Sequence, residues 1–338
     1  MRCVHFLFFA VLPLTAQPAA DLAARGAQLL EANRPAEAHA AFTESLRLNP
    51  SEFEALSGMG FLFLAQEHLA EARSYLEKAV AARPQSFQAR FLLGATLVQL
   101  KQPQAAIVQL RHAVARNPAH TDARKLLAAQ YVDTRQYRNA ITLLQPFVEV
   151  PPFDEETHLL LIEARQTSGD TSAAFVLAQK AAVRFPNSAQ ILAWLGFQLQ
   201  FAGRYEEAKA PLLRAITLDS TFPVPLQILG EVFLKEENFA EAVTWLTRAA
   251  QQMPEDIETL LALGRAYAES GNATRSLEVL RSAALLAPRD ARVHLQLSRL
   301  YFRTGDEAKA RDEAELSVRL RDATPVTATP PASLRHGH

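Results

Sequence analysis

Apolar residues along most of this chain recur with a helical spacing of three and four, and almost nowhere with the strict alternation of a strand. Stretches such as Phe53–Leu64, Leu192–Leu199 and Leu260–Tyr267 read as first helices, each followed after a short polar turn by a second periodic stretch. The breaks are also periodic. Pro50, Pro84, Pro118, Pro152, Pro186, Pro254 and Pro288 fall on one lattice of 34 residues, whose two remaining points hold Ser220 and Asp322. Other positions keep the same register. Gly26, Gly60, Gly94, Gly196, Gly230 and Gly264 share a slot, filled elsewhere by Ala128, Ser298 and, as the one bulky departure, Ile162. A second small slot runs Ala38, Ala72, Ala106, Ala140, Ala174, Ala208, Ala242, Ser276 and Ala310, followed four residues later by Phe42, Leu76, Leu110, Leu144, Leu212, Leu246 or Leu280.

The order of these slots resembles the tetratricopeptide repeat, W-x2-L-G-x2-Y, then A-x3-F, then P. Leu replaces Trp at Leu22, Leu56, Leu192, Leu226 and Leu260, while Arg90, Arg124, His158 and His294 depart from it. The resemblance spans nine units over residues 19–324, starting at 19, 53, 87, 121, 155, 189, 223, 257 and 291. It implies an all-α, right-handed superhelical solenoid of helix-turn-helix units, with first helices lining a concave surface that takes peptides or protein segments.

Local departures predict local shape. Ser86, Asp154, Ser188, Asp256 and Asp290 are placed to cap first helices, and Pro35 and Pro103 to open second helices. Ile162 should cost about 1–3 kcal/mol unless the helices splay, with a change of curvature near the fifth unit, and Pro146 and Pro211 each invite a kink in a second helix.

Composition narrows the function. Lys and Arg number 35 against 36 Asp and Glu, a net charge of −1, which provides no broad field for a nucleic-acid backbone. Met1-Arg2-Cys3 and the apolar run Val4–Leu14 read as a signal peptide over residues 1–16, so the chain is expected to be exported, periplasmic or extracellular if bacterial, with no stable membrane insertion once the signal is removed. Cys3, the single cysteine, lies inside that segment. Residues 325–338 read as a disordered tail whose His336 and His338 form no structured metal site. No nucleotide-binding, zinc-protease or nucleophile-elbow motif occurs, so neither catalysis nor a cofactor is expected, and His112, His120 and His158 read as surface or packing residues.

The expected function is a protein-interaction scaffold, with an accessory or regulatory subunit of a separate cell-envelope enzyme as the alternative. Phe61, Leu64, Phe91, Val98, Trp194, Phe197 and Phe201 are the candidate peptide-binding groove. Arg265, Arg292, Arg299 and Arg303 form a candidate wall for an acidic ligand, against which stands their pairing with Glu269, Asp306 and Glu307.

Overall fold

A computed structural model describes residues 16–322. The segment read as a signal, apart from Ala16, and the tail read as disordered lie outside the described residues. Within them the chain is all helical, with eighteen α-helices and one short 3-10 turn among the described residues.

The chain divides into two compact units, one through Pro151 and one from Pro152. In the first unit, helices pair in chain order as α1 (Ala16–Glu31) with α2 (Pro35–Leu48), α3 (Phe53–Ala65) with α4 (Leu69–Ala82), α5 (Phe87–Gln99) with α6 (Pro103–Arg116), and α7 (Thr121–Asp133) with α8 (Tyr137–Leu144). The second unit pairs α9 (Glu155–Thr167) with α10 (Thr171–Arg184), α11 (Ala189–Phe201) with α12 (Tyr205–Leu218), and α13 (Val224–Lys235) with α14 (Phe239–Gln252). It continues with α15 (Ile257–Glu269) beside α16 (Ala273–Leu286), and α17 (Ala291–Thr304) beside α18 (Glu307–Asp322). Within each unit a hairpin touches the hairpins before and after it, and the buried clusters are correspondingly local. Phe42 gathers with Ala23, Ala55, Met59 and Leu62, and Leu280 with Leu261, Val293, Leu297 and Tyr301.

The glycine slot exists because the two helices of a hairpin approach closely there. A Cβ added at Gly60 would lie 2.5 Å from Leu76, at Gly196 2.5 Å from Leu212, and at Gly264 2.5 Å from Leu280, distances no real side chain tolerates. The fifth hairpin solves the same problem in reverse. Ile162 is fully buried, and the position that holds Leu in the neighbouring hairpins is Ala178, also fully buried. The large and small members have changed places and conserve volume, so the expected steric mismatch at Ile162 is absent. The α9–α10 pair does approach less closely than the hairpins that follow it.

The capping residues behave as their positions predict. Side chains of Ser86, Asp154, Ser188, Asp256 and Asp290 accept from backbone N–H groups of Ala89, Thr157, Ile191, Thr259 and Arg292, and Pro35 and Pro103 begin α2 and α6. His120, read as a packing or surface residue, is a sixth cap of a first helix, its Nδ1 accepting from Ala123. Three of the departures from the Trp slot also acquire a common reason. Arg90, Arg124 and His294 each donate to the carbonyl of the lattice proline six positions earlier, Pro84 at 3.0 Å, Pro118 at 2.7 Å and Pro288 at 3.1 Å, satisfying a turn carbonyl that the leucine of other units has no donor to reach.

The two internal prolines diverge. At Pro146 helix α8 stops at Leu144 and the chain continues as a 3-10 turn, Gln145–Phe147. At Pro211 helix α12 continues through the proline for 14 residues, as long as α4, α6, α10 and α14, so this proline does not end its helix as Pro146 does.

Candidate functional site

Helix α11 carries an aromatic stripe because Trp194, Phe197 and Phe201 are spaced by three and four residues and so share one side of it. The stripe runs from core to surface. Trp194 is 2% exposed and belongs to the interior, so it offers no surface to a partner, contrary to its place in the predicted groove. Its indole meets the Phe197 ring edge-on at 5.7 Å, and Phe197, half-buried, meets Phe201 at 6.4 Å with the rings tilted by 30°. Phe201 is 63% exposed. The indole thus fixes Phe197, and Phe197 supports an exposed ring.

The neighbouring first helices place polar groups beside this stripe. Gln198 on α11 bonds Gln166 on α9 at 3.0 Å, and Gln200 donates to Glu231 on α13 at 2.9 Å. Gln227 also donates to Glu231, at 3.1 Å. Burial pushes the Glu231 carboxyl above the usual glutamate range, and Glu258 and Asp256 add to the shift, while the two amide donors pull against it. Phe197 and Glu231 occupy the same repeat position on adjacent first helices, so a carboxylate reluctant to ionise stands next to the exposed rings.

The first-unit candidates are more dispersed. Phe61 on α3 is 45% exposed and Leu64 is half-buried. Phe91 and Val98 on α5 are half-buried, and Phe91 is engaged in stacking, 5.7 Å from Phe87 and 5.1 Å from His120. A cavity of about 550 Å3 opens where α8 gives way to the 3-10 turn, with Tyr131 and Pro146 in its wall; nothing in the sequence pattern pointed to it beyond Pro146 itself.

The predicted basic wall divides. Arg292 is held by Glu258 at 2.5 Å and Asp290 at 2.7 Å, and its hydrogen bond to Asp290 draws that carboxyl below the usual aspartate range. Arg303 pairs with Glu269 at 3.2 Å and donates to the Ala268 carbonyl at 3.0 Å. Arg265 and Arg299 are exposed and carry no ion pair or hydrogen bond among the described residues. Asp306 and Glu307 turn to Lys309 and Arg311 instead of to this wall.

Among the described residues no cluster of three or more His, Cys, Asp or Glu could hold a metal ion, and no helix is long and apolar enough to cross a membrane. His158 is wholly buried, its Nδ1 2.7 Å from the Asp154 carbonyl and its ring edge-on to Phe185.

The chain was compared with known families and structures. Residues 29–95 and 233–295 match the tetratricopeptide repeat family, and residues 65–147 match the family described as anaphase-promoting complex, cyclosome, subunit 3. No curated protein matches. A tetratricopeptide repeat protein from Parabacteroides merdae superposes with a TM-score of 0.54 at 14% identity, covering 74% of this chain and 99% of that one. MamA from Desulfovibrio magneticus RS-1 gives 0.46 at 19% identity over 51% of this chain and 97% of its own. The Cut9–Hcn1 hetero-tetramer of the APC/C gives 0.47 at 14% identity, covering 94% of this chain and 83% of that one. Over residues 29–95 and 233–295 the chain is similar to the tetratricopeptide repeat family, and within each unit its fold is the all-α array of helix-turn-helix hairpins found in such structures.

Proposed function

We propose that this protein is a non-catalytic interaction scaffold that binds an apolar segment of a partner protein on its first-helix face, around Phe197 and Phe201. The observation that carries the reading is the aromatic stripe of α11. An exposed Phe201 ring costs solubility, and the rings behind it are locked in place, which lowers the conformational entropy lost on binding. Phe61 and Leu64 offer a smaller patch of the same kind on α3. The tetratricopeptide fold supports the reading, since its hairpins use their interiors for packing and leave the helix faces for recognition. The N-terminal pattern of residues 1–16 supports an exported protein meeting its partner outside the cytoplasm. N-terminal sequencing of the purified protein should begin after Ala16, and a chain still beginning at Met1 would overturn the export reading.

The test compares proteins captured from a cell-envelope extract by the wild type and by the Phe197→Ala/Phe201→Ala double variant. The expected result is loss of a stoichiometric partner with helicity retained. Identical capture by both would contradict the reading. Trp194→Ala is the structural control, expected to cost about 3–5 kcal/mol of stability, whereas Phe201→Ala alone should stay within about 0.5 kcal/mol of wild type.

A further inference from the structure

Each hairpin but one joins its helices through one small and one large residue. The pairs are Gly26 with Phe42, Gly60 with Leu76, Gly94 with Leu110, Gly196 with Leu212, Gly230 with Leu246 and Gly264 with Leu280. By register Ala128 pairs with Leu144 and Ile162 with Ala178. In the α17–α18 hairpin both members are small, Ser298 and Ala314. Where the other hairpins set a leucine or phenylalanine, the floor of the groove between these helices holds only small side chains, and a cavity of about 610 Å3 opens over them, within the ~300–1,000 Å3 range of ligand sites. Its floor is apolar in effect, because the Ser298 hydroxyl is already used, donating to the Ala310 carbonyl at 2.7 Å. Phe302 forms the wall at 72% exposure, in the repeat position where Leu234 is only 4% exposed.

The rim is cationic. Arg299, Arg303 and Arg311 stand against Glu269 and Glu307, three positive groups to two negative. The two carboxylates are taken by Arg303 at 3.2 Å and by Arg311 at 3.7 Å, which leaves the Arg299 guanidinium as the unmatched charge. We propose that this pocket seats an acidic segment of a partner protein. One leucine- or phenylalanine-sized side chain lies on Ser298, Ala310 and Ala314 against Phe302, while an adjacent carboxylate accepts from Arg299. The site is separate from the α11 stripe and does not depend on it.

The probe is a dansyl-labelled peptide with one leucine flanked on each side by two aspartates, titrated against the full-length protein by fluorescence anisotropy at low salt. Saturable binding is expected, weakened at least fivefold by Arg299→Gln and several-fold by Phe302→Ala. A peptide with lysines replacing the aspartates should not bind. Ala314→Leu restores the large member of the pair and is expected to abolish binding while the melting temperature holds or rises. Phe201→Ala should leave the affinity unchanged, so the fate of this site is read apart from that of the α11 stripe. The proposal is overturned if the leucine peptide does not bind the full chain, or if Ala314→Leu binds it as well as wild type does. It is equally overturned if binding emerges only after removal of residues 323–338, which would assign the pocket to the chain's own tail. A dimer dissolved by Ala314→Leu would assign it to a second copy and overturn it too.

Discussion

At the scale of the residue, the turn inside each hairpin repeats one backbone conformation. Asn33, Glu67, Lys101, Arg135 and Glu237 have φ between 55° and 60°, and Gly169, Gly203, Gly271 and Gly305 fill the same position at 73° to 90°. Side-chain-bearing residues pay for this left-handed geometry with Cβ crowding that glycine lacks. Lys101→Gly is therefore expected to raise unfolding stability by about 1 kcal/mol, read from the urea midpoint at unchanged m-value. A destabilised variant would mean that the aliphatic stem of Lys101 contributes more than its backbone costs. A second residue-scale outcome concerns Glu231. Its folded-state carboxyl holds a proton more tightly than the unfolded chain does, so it favours folding in acid, and that contribution disappears as pH rises through the glutamate range to the elevated value. Relative to wild type, Glu231→Gln should gain stability as the pH is taken from about 4 to about 7. A pH-independent difference between the two proteins would contradict a burial-driven shift.

At the scale of the element, the sequence was most informative where a residue's role follows from its place in the 34-residue lattice. Asp256 caps because an aspartate just past a helix-ending proline has only the next helix's N–H groups to meet. It was least informative where a role depends on a second residue in the other helix. Ile162 looks like a fault when read alone and becomes a size exchange once Ala178 is seen opposite it. Arg90, Arg124 and His294 look like degenerate slots until their proline carbonyl partners appear. Trp194 was legible as an aromatic on the right face, but its depth was not, because periodicity fixes direction and leaves burial to the neighbouring hairpin. The exchange is testable by a double-mutant cycle. Ala178→Leu alone should overpack against Ile162 and cost about 1–3 kcal/mol, and adding Ile162→Gly should recover part of that loss. Strictly additive effects would show that the two side chains do not share a space.

At the scale of the whole molecule, each hairpin within a unit is stabilised by its own helices and those of adjacent hairpins, with no closed core collecting distant segments among the described residues. The 34-residue period made that legible from sequence, while the division at Pro151 and Pro152 and the cavity between α17 and α18 were not, since both arise from how particular hairpins deviate from the period. A structure held together by nearest neighbours should tolerate the loss of a complete period and not of half of one. The direct measurement is circular dichroism and urea unfolding of a chain lacking residues 223–256, one period inside the second unit, beside a chain lacking residues 223–239. The first deletion is expected to keep the helical signal per residue and a cooperative transition, while the second loses both. Collapse of the in-register deletion to the same extent as the half-period one would contradict nearest-neighbour stabilisation.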